Sequence, residues 1–380
     1  MGERPEPTGE PADRLRDAAL RPPLLTADLP GIGGRMRVRD EDFLVDEIPA
    51  YAPDGKLGGW VMLQLRKRGM STEDAVRTLA KALGIGLGDV GYAGRKDREA
   101  ISRQWISVPV LLRDRLLGLS LEGIELGPPH LHSHKLRTGH LHGNRFEIVI
   151  RELACDVDTA IDRCRAKLDR LAAQGGLPNA FGPQRFGDGG NGVERGIAAI
   201  QGGRGGARGN MTVAAGQSVL FNLYLRLRAE RGLLRRALVG DILKKTDTGG
   251  LFVCSDAGAD DERLAAGILV VTGPIYGSRT MSPPDDSPSH ALEQEVLALA
   301  GIDDRALRSL GRAALGTRRP LQVAVGDAAL QAAPALDASS AAALRIAFSL
   351  PAGCFATALC RELQSGPGGH DVAGTPAQAS

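Results

Sequence analysis

GGLPNAFGPQRFGDGGNGVERGIAAIQGGRGGARGN, residues 175–210, is where the composition of the chain changes. Glycine dominates it, and glycine stabilises neither a helix interior nor a strand. The segments before it are regular. Met36 to Ile48 and Trp60 to Arg66 alternate as strands do, with Val61, Leu63 and Leu65 on one face. Asn144 to Arg151 puts Phe146, Ile148 and Ile150 on one face in the same way. Ser71 opens a helix with acids in its first turn and Gly84 after its last. Asp156 to Ala173 spaces Val157, Ile161, Cys164, Leu168 and Leu171 as a helical stripe. Beyond the glycine stretch, residues 216–239 and 290–315 read as helical. After Arg319 the strand pattern returns in LQVAV and LRIAFSL, and a short helix, CFATALCREL, follows Pro351-Ala352-Gly353. Strand-rich ends around a glycine- and helix-rich middle predict a discontinuous domain carrying an insertion. The boundaries fall at residues 31–174 plus 321–365 for the outer domain and 175–320 for the inserted one. Residues 1–30 and 366–380 are rich in Pro, Gly, Ser and Ala and read as disordered tails.

The 380 residues, 43% of them hydrophobic, suffice for a substantial core. No apolar run approaches the roughly 20 residues that span a bilayer. The charged, proline-rich N-terminus lacks the apolar core of a secretion signal, so the expectation is a cytoplasmic protein with no membrane partner. The five cysteines have no C-x-x-C spacing, which disfavours zinc ribbons and disulfide frameworks. A net charge of +2 does not by itself argue for nucleic acid. The positive charge is nevertheless clustered, in Arg95-Lys96 with Arg98 and Arg103, in Lys135 to Arg137, in Arg226 to Arg236 and in Arg318-Arg319. Such patches suit a phosphate backbone, although solvated helix faces would look the same.

Four segments could carry chemistry. Gly94-Arg95-Lys96-Asp97-Arg98 sets one acid among three cations in a turn before a strand. Neighbouring positive charge keeps a carboxylate ionised, which suits a nucleophile or base; an acid in a charged turn is more commonly a surface ion-pair residue. HLHSHKLRTGHLHGNRF holds His130, His132, His134, His140 and His142. Three imidazoles on one strand face would raise metal binding, but no carboxylate or cysteine interleaves them. The reading is therefore no metal, and a histidine-rich hairpin near RNA or in solvent. Asn144 follows, where its amide could read a base edge. Asn179 to Gly187 offers Phe181, Arg185 and Phe186, able to bind a base or phosphate, or to pack into their own domain. Phe355, at a helix entry, could line a pocket or a core.

Taken in order, YAGRKDREAISRQW, KLRTGHLHGNRFEIVIR, LPNAFGPQRFGDGG, GQSVLFNLYLRLR, VVTGPIYG and LRIAFSLPAGCFATALCREL resemble the TruD family of tRNA pseudouridine synthases, from about Phe43 to Leu363. The resemblance implies an α+β fold: a catalytic domain with a mixed, mostly antiparallel sheet flanked by helices, interrupted by an inserted α/β TRUD domain. It implies isomerisation of uridine to pseudouridine in tRNA, typically at position 13 of the D arm, with Asp97 as the catalytic carboxylate. Phe43, Asn144 and Phe355 match the family's substrate contacts. Phe146 matches the ring that stands in place of the active-site tyrosine of other pseudouridine synthases. Ser102 stands where a threonine is common, and Cys354 where a smaller residue is usual; these put only local packing in doubt. A cation such as Lys96 or Arg361 is expected beside Asp97 to hold it ionised. The reaction exchanges no electrons overall, so no cofactor is expected, and a monomer is the expected state. The competing readings are a non-catalytic RNA-binding module or chaperone, and a histidine-rich metalloenzyme acting on RNA.

Overall fold

The computed structural model describes residues 11–202, 209–336 and 341–368. Most of the expected C-terminal tail and residues 203–208 of the glycine-dominated stretch lie outside them. The chain runs through β1 (Gly33–Arg35), β2 (Phe43–Pro49), β3 (Trp60–Lys67), β4 (Gly91–Tyr92), β5 (Ile101–Pro109), β6 (Ile124–Leu126), β7 (His130–His132) and β8 (Leu141–Leu153). It continues through β9 (Leu177–Pro178), β10 (Ile242–Lys245), β11 (Leu251–Val253), β12 (Leu269–Ile275) and β13 (Thr317–Pro320). It finishes in β14 (Gln322–Val323), β15 (Gly326–Ala333) and β16 (Ala343–Pro351).

The main sheet has the order β15-β16-β8-β2-β5-β3-β6, with β1 beside β8, β4 beside β5 and β7 beside β3. Among the described residues its one parallel pair is β2 with β5; the rest are antiparallel. The α+β class and the mixed, mostly antiparallel sheet expected from the sequence are therefore what is found. The strand expected from Met36 starts only at Phe43, because Asp40–Asp42 form a tight helical turn.

Register decides what faces the helices. Phe43, Val45 and Glu47 of β2 lie beside Ile148, Phe146 and Asn144 of β8, and Phe146 lies beside Phe348 of β16. Side chains alternate along a strand, so all of these share one face. The helices Val157–Ala173 and Ala356–Gln364 cover its apolar part, packing Cys164, Leu171, Leu359 and Leu363 against Phe43, Phe146, Ile148 and Phe348. Helix Thr72–Leu83 covers β3 and β5, burying Val76, Leu79 and Leu83 against Val61, Leu63, Leu65 and Ile106. Ser71 caps it by accepting the Asp74 amide, and Gly84 ends it in the left-handed region at φ 65, where a side chain would be strained. Between these two apolar patches runs a buried polar strip: Glu47, Lys67, Ser102 and Gln104 from the strands, with Thr72 and Lys96 above.

A second core surrounds helix Gly209–Glu230, whose Leu220, Phe221, Leu223 and Tyr224 are fully buried. It is closed by helices Gly192–Gln201 and Pro288–Leu299 and by a four-stranded sheet of order β11-β10-β12-β13. The helix expected over 290–315 breaks after Leu299 and restarts at Asp304. The N-terminal segment requires a correction: residues 11–20, expected in a disordered tail, form a helix that buries Leu15, Ala18 and Ala19 in this second core. The basic run on Gly209–Glu230 and after it is largely neutralised. Arg226 pairs with Asp17 of that N-terminal helix, Arg231 with Glu295 and Arg228 with Asp241. The two feet of the excursion meet in a short ladder, Leu177 beside Val323 and Pro178 beside Gln322. Among the described residues no helix is long and apolar enough to cross a membrane.

Arg228 and Asp241 are 2.9 Å apart with neither side chain exposed. Asp241 also accepts from Ser289 Oγ at 2.7 Å and from the Leu238 amide at 2.8 Å, while Arg228 donates to Leu233 and Arg236 carbonyls. Removing one partner strands a buried charge, which typically costs about 3–5 kcal/mol. Asp241→Ala should lower the unfolding free energy by about that much, read from the midpoint of a urea titration.

Candidate active site

The turn Gly94–Asp97 crosses the polar strip between the two covered patches, just ahead of β5. Its path is set by buried contacts. The Lys96 amide donates to Thr72 Oγ1 at 2.8 Å, Thr72 Oγ1 donates to Gln104 Oε1 at 2.8 Å, and Gln104 Nε2 donates to the Gly94 carbonyl at 3.3 Å. The Lys96 ammonium lies 3.0 Å from Glu47 Oε2 and donates to Asn144 Oδ1 at 2.6 Å. The other oxygen of Glu47 accepts the Trp105 amide at 3.2 Å. Lys67, at the end of β3, donates to the main-chain carbonyl of Asp97 at 2.6 Å.

Asp97 itself is exposed, and its carboxylate makes no hydrogen bond or ion pair among the described residues. It stands at the start of the parallel pair, the end of the sheet where β2 begins with Phe43. Phe43 is buried beneath the Arg37 guanidinium, 4.3 Å from its ring, and meets Phe146 edge-on at 6.5 Å. Phe146 in turn stacks on Phe348 at 5.3 Å. Phe355 is 37% exposed at the entry to helix Ala356–Gln364, after Gly353 at φ 78. Its ring lies 5.7 Å from Phe181, which packs edge-on against Phe221. Of the two roles open to the Phe181 and Phe186 loop, Phe186 takes the core and Phe181 sits at its margin beside Phe355.

The candidate cations have distinct partners. Lys96 faces Glu47 and Asn144. Arg361 donates to the Pro22 carbonyl at 2.6 Å. The lysine that holds the Asp97 turn is Lys67, which the sequence reading did not single out. Burial pushes the Lys67 ammonium down to about 8, against the pull of the Asp97 charge, with Lys96 adding to the push. Cys354, beside Phe355, stays a neutral thiol because burial pushes it up to about 11. The histidines are engaged locally. His132 is buried, stacks on Tyr51 at 5.3 Å and lies 3.3 Å from Asp54, and Tyr51 bonds His140. Among the described residues no three His, Cys, Asp or Glu side chains are grouped to hold a metal.

The geometry thus offers an exposed carboxylate on a turn whose main chain is held by the buried Lys67 and Thr72. The family model for tRNA pseudouridine synthase D (TruD) matches residues 21–201 and 209–363. The chain belongs to the TruD family. It is 40% identical over 351 residues to the tRNA pseudouridine synthase D of Anaeromyxobacter sp. strain Fw109-5, covering 90% of this chain and 95% of that protein. It is 40% identical over 356 residues to a tRNA pseudouridine synthase D of Thermus thermophilus, covering 91% and 94%. The fold also matches a crystal structure described as TruD from Methanosarcina mazei, with a TM-score of 0.72 at 23% identity, over 90% of this chain and 96% of that one.

Glu47 and Lys67 are the site residues that sequence reading passed over, and both carried a signal. Each continues an alternation whose earlier members are apolar, Phe43 and Val45 in one strand, Leu63 and Leu65 in the other. A charge on the core face of a strand needs a partner.

Lys67 titrates with a sign that can be checked. Between about pH 8 and its ordinary value of 10.5 the unfolded chain holds a proton that the folded chain has released. Stability should therefore rise with pH in that window relative to a Lys67→Met variant, and the two should run parallel below it. Urea midpoints of both proteins across the range measure this.

Proposed function

We propose that this chain isomerises uridine to pseudouridine in tRNA, at position 13 of the D arm, with Asp97 as the catalytic carboxylate. The observation that carries the reading is the placement of the Asp97 carboxylate, open to an incoming ligand on a turn whose main chain is pinned by Lys67, Thr72 and Gln104. Membership of the TruD family supports it.

The reaction breaks the N1–C1′ glycosidic bond, turns the uracil and rejoins it through C5, so no electrons are gained or lost. The protein must supply an ionised carboxylate near the ribose and a pocket that keeps the detached base. Asp97 serves either by attacking C1′ or by taking a proton from C2′ to leave a glycal. Lys67 supplies positive charge behind the turn. Asn144, oriented by the Lys96 ammonium on its amide oxygen, presents its amide NH2 as a donor to a uracil carbonyl or the ribose. Phe355 offers an exposed ring face beside Phe181, while Phe43 and Phe146 meet edge-on inside the first core. Turning a uridine out of its stack costs a few kcal/mol, and stacking on an aromatic returns about 1–3 kcal/mol per base. In this reading residues 31–174 plus 321–365 form the catalytic domain and residues 175–320 the inserted domain, with tRNA between them. The enzyme acts as a cytoplasmic monomer and recruits no cofactor.

Asp97→Asn keeps size and shape but removes the charge. It should reduce pseudouridine formation on a purified tRNA transcript by roughly three orders of magnitude or more, with tRNA binding retained. Near-normal turnover would remove Asp97 from the mechanism and favour the non-catalytic RNA-binding alternative. Phe355→Ala should lose activity at an almost unchanged melting temperature, since a ring 37% exposed contributes little to the core; global unfolding would instead make Phe355 a core residue.

A further inference from the structure

A cavity of about 370 Å³ opens between the Phe181–Arg185 segment, helix Gly209–Glu230 and β13. Its wall carries Arg185, Lys244, Arg318 and Arg319, with Gln217 and Ser218, and no aspartate or glutamate. Arg318 is accounted for by Glu293, 2.7 Å away. The other three cations meet no carboxylate among the described residues. Arg185 Nε reaches Ser218 Oγ at 3.4 Å. Arg319 donates to the Asn179 carbonyl at 3.1 Å, to Asn179 Oδ1 at 2.5 Å and to the Gly353 carbonyl at 2.9 Å. Its guanidinium lies 4.4 Å from the Phe181 ring and 6.0 Å from that of Phe355.

Neutral acceptors hold Arg319 in place without cancelling its charge. Burial pushes it down to about 10, and the nearby Arg185 adds to the push. The arginines on and just after helix Gly209–Glu230 differ: Arg226, Arg228 and Arg231 each have an acid. A wall that gathers three uncompensated cations repels itself until an anion enters.

We propose that this cavity is a phosphodiester subsite, taking a backbone phosphate of the RNA beside the nucleotide turned toward Asp97. The inference rests on the tRNA reading above. Arg185 and Lys244 reach the phosphate, and Arg319 is the fixed charge beneath it. Arg319 lies 6.0 Å from the Phe355 ring, so an anion held in the cavity would neighbour a base stacked on that ring. That adjacency favours an RNA phosphate over a free one. Arg319 also ties β13 to the Gly353 loop, so an occupied subsite would hold the loop that carries Phe355.

The test uses the full chain and an unmodified tRNA transcript. Arg185→Gln, Lys244→Gln and the double variant are compared with wild type by dissociation constant across a salt series, with melting temperatures as the fold control. Arg319 is left intact because it also holds the Phe355 loop. Each single change should weaken binding severalfold and flatten the slope of log affinity against log salt by about 0.7–0.9, the loss expected for one phosphate contact. Arg185→Lys, which keeps the charge, should restore most of the slope. Wild-type affinity and slope in a folded double variant would overturn the proposal. So would tight binding of inorganic phosphate that Arg185→Gln abolishes while tRNA affinity stays unchanged, since the cavity would then serve a free anion. These outcomes are separate from the parent reading, which fails if the wild-type protein forms no pseudouridine in the same transcript.

Discussion

The Lys96 ammonium and the Glu47 carboxylate lie 3.0 Å apart where their side chains are 4% and 0% exposed. Taking both charges out of water costs several kcal/mol per ion unless attraction and further hydrogen bonds offset it. Here Asn144 accepts from Lys96, and the Trp105 amide donates to the other oxygen of Glu47. Glu47 belongs to β2, Asn144 to β8, Trp105 to β5 and Lys96 to the turn, so the pair forms only when three strands and a loop are in register. A one-residue slip of β2 would send Glu47 to the opposite face and strand the lysine. The position of Asp97, next in sequence, follows from this constraint rather than from contacts of its own side chain.

The same logic joins the two cores. Arg319 leaves β13, lies against Phe181 and Phe221, and donates to the carbonyl of Gly353. The second core therefore fixes the loop that presents Phe355, although that loop continues from a strand of the first sheet. The N-terminal helix adds another tie, with Arg226 holding Asp17. Stabilising contacts and candidate substrate contacts thus meet in the same few side chains.

Much of this was legible in the sequence. Alternation located β3 and β8, the Ser71 cap and Gly84 bounded a helix, and the glycine-rich stretch marked where the chain leaves the first core. The acid of the Gly94–Arg98 turn and the exposed ring at Phe355 were readable as candidates. What stayed hidden depends on partners distant in sequence. Lys67 and Lys96 look alike as letters, and only the strand register assigns one to Asp97 and the other to Glu47. The helix over residues 11–20 was hidden because its few small apolar residues find their surface on a helix about two hundred positions later. The clustered arginines left two readings open for the converse reason: a run of like charges says nothing about the acids that fold against it.

The pairing of β8 with β16 carries a cost in time. Leu344 and Ile150 are neighbours in the sheet, yet all of the second core except the N-terminal helix is strung between them in the chain. Closing so long a loop is entropically unfavourable and slow. During synthesis β8, rich in isoleucine and valine, emerges with one edge bare and waits for its partner. A bare apolar edge invites pairing with other chains. Assembly of this sheet is therefore most exposed to aggregation while the nascent chain is between these two strands.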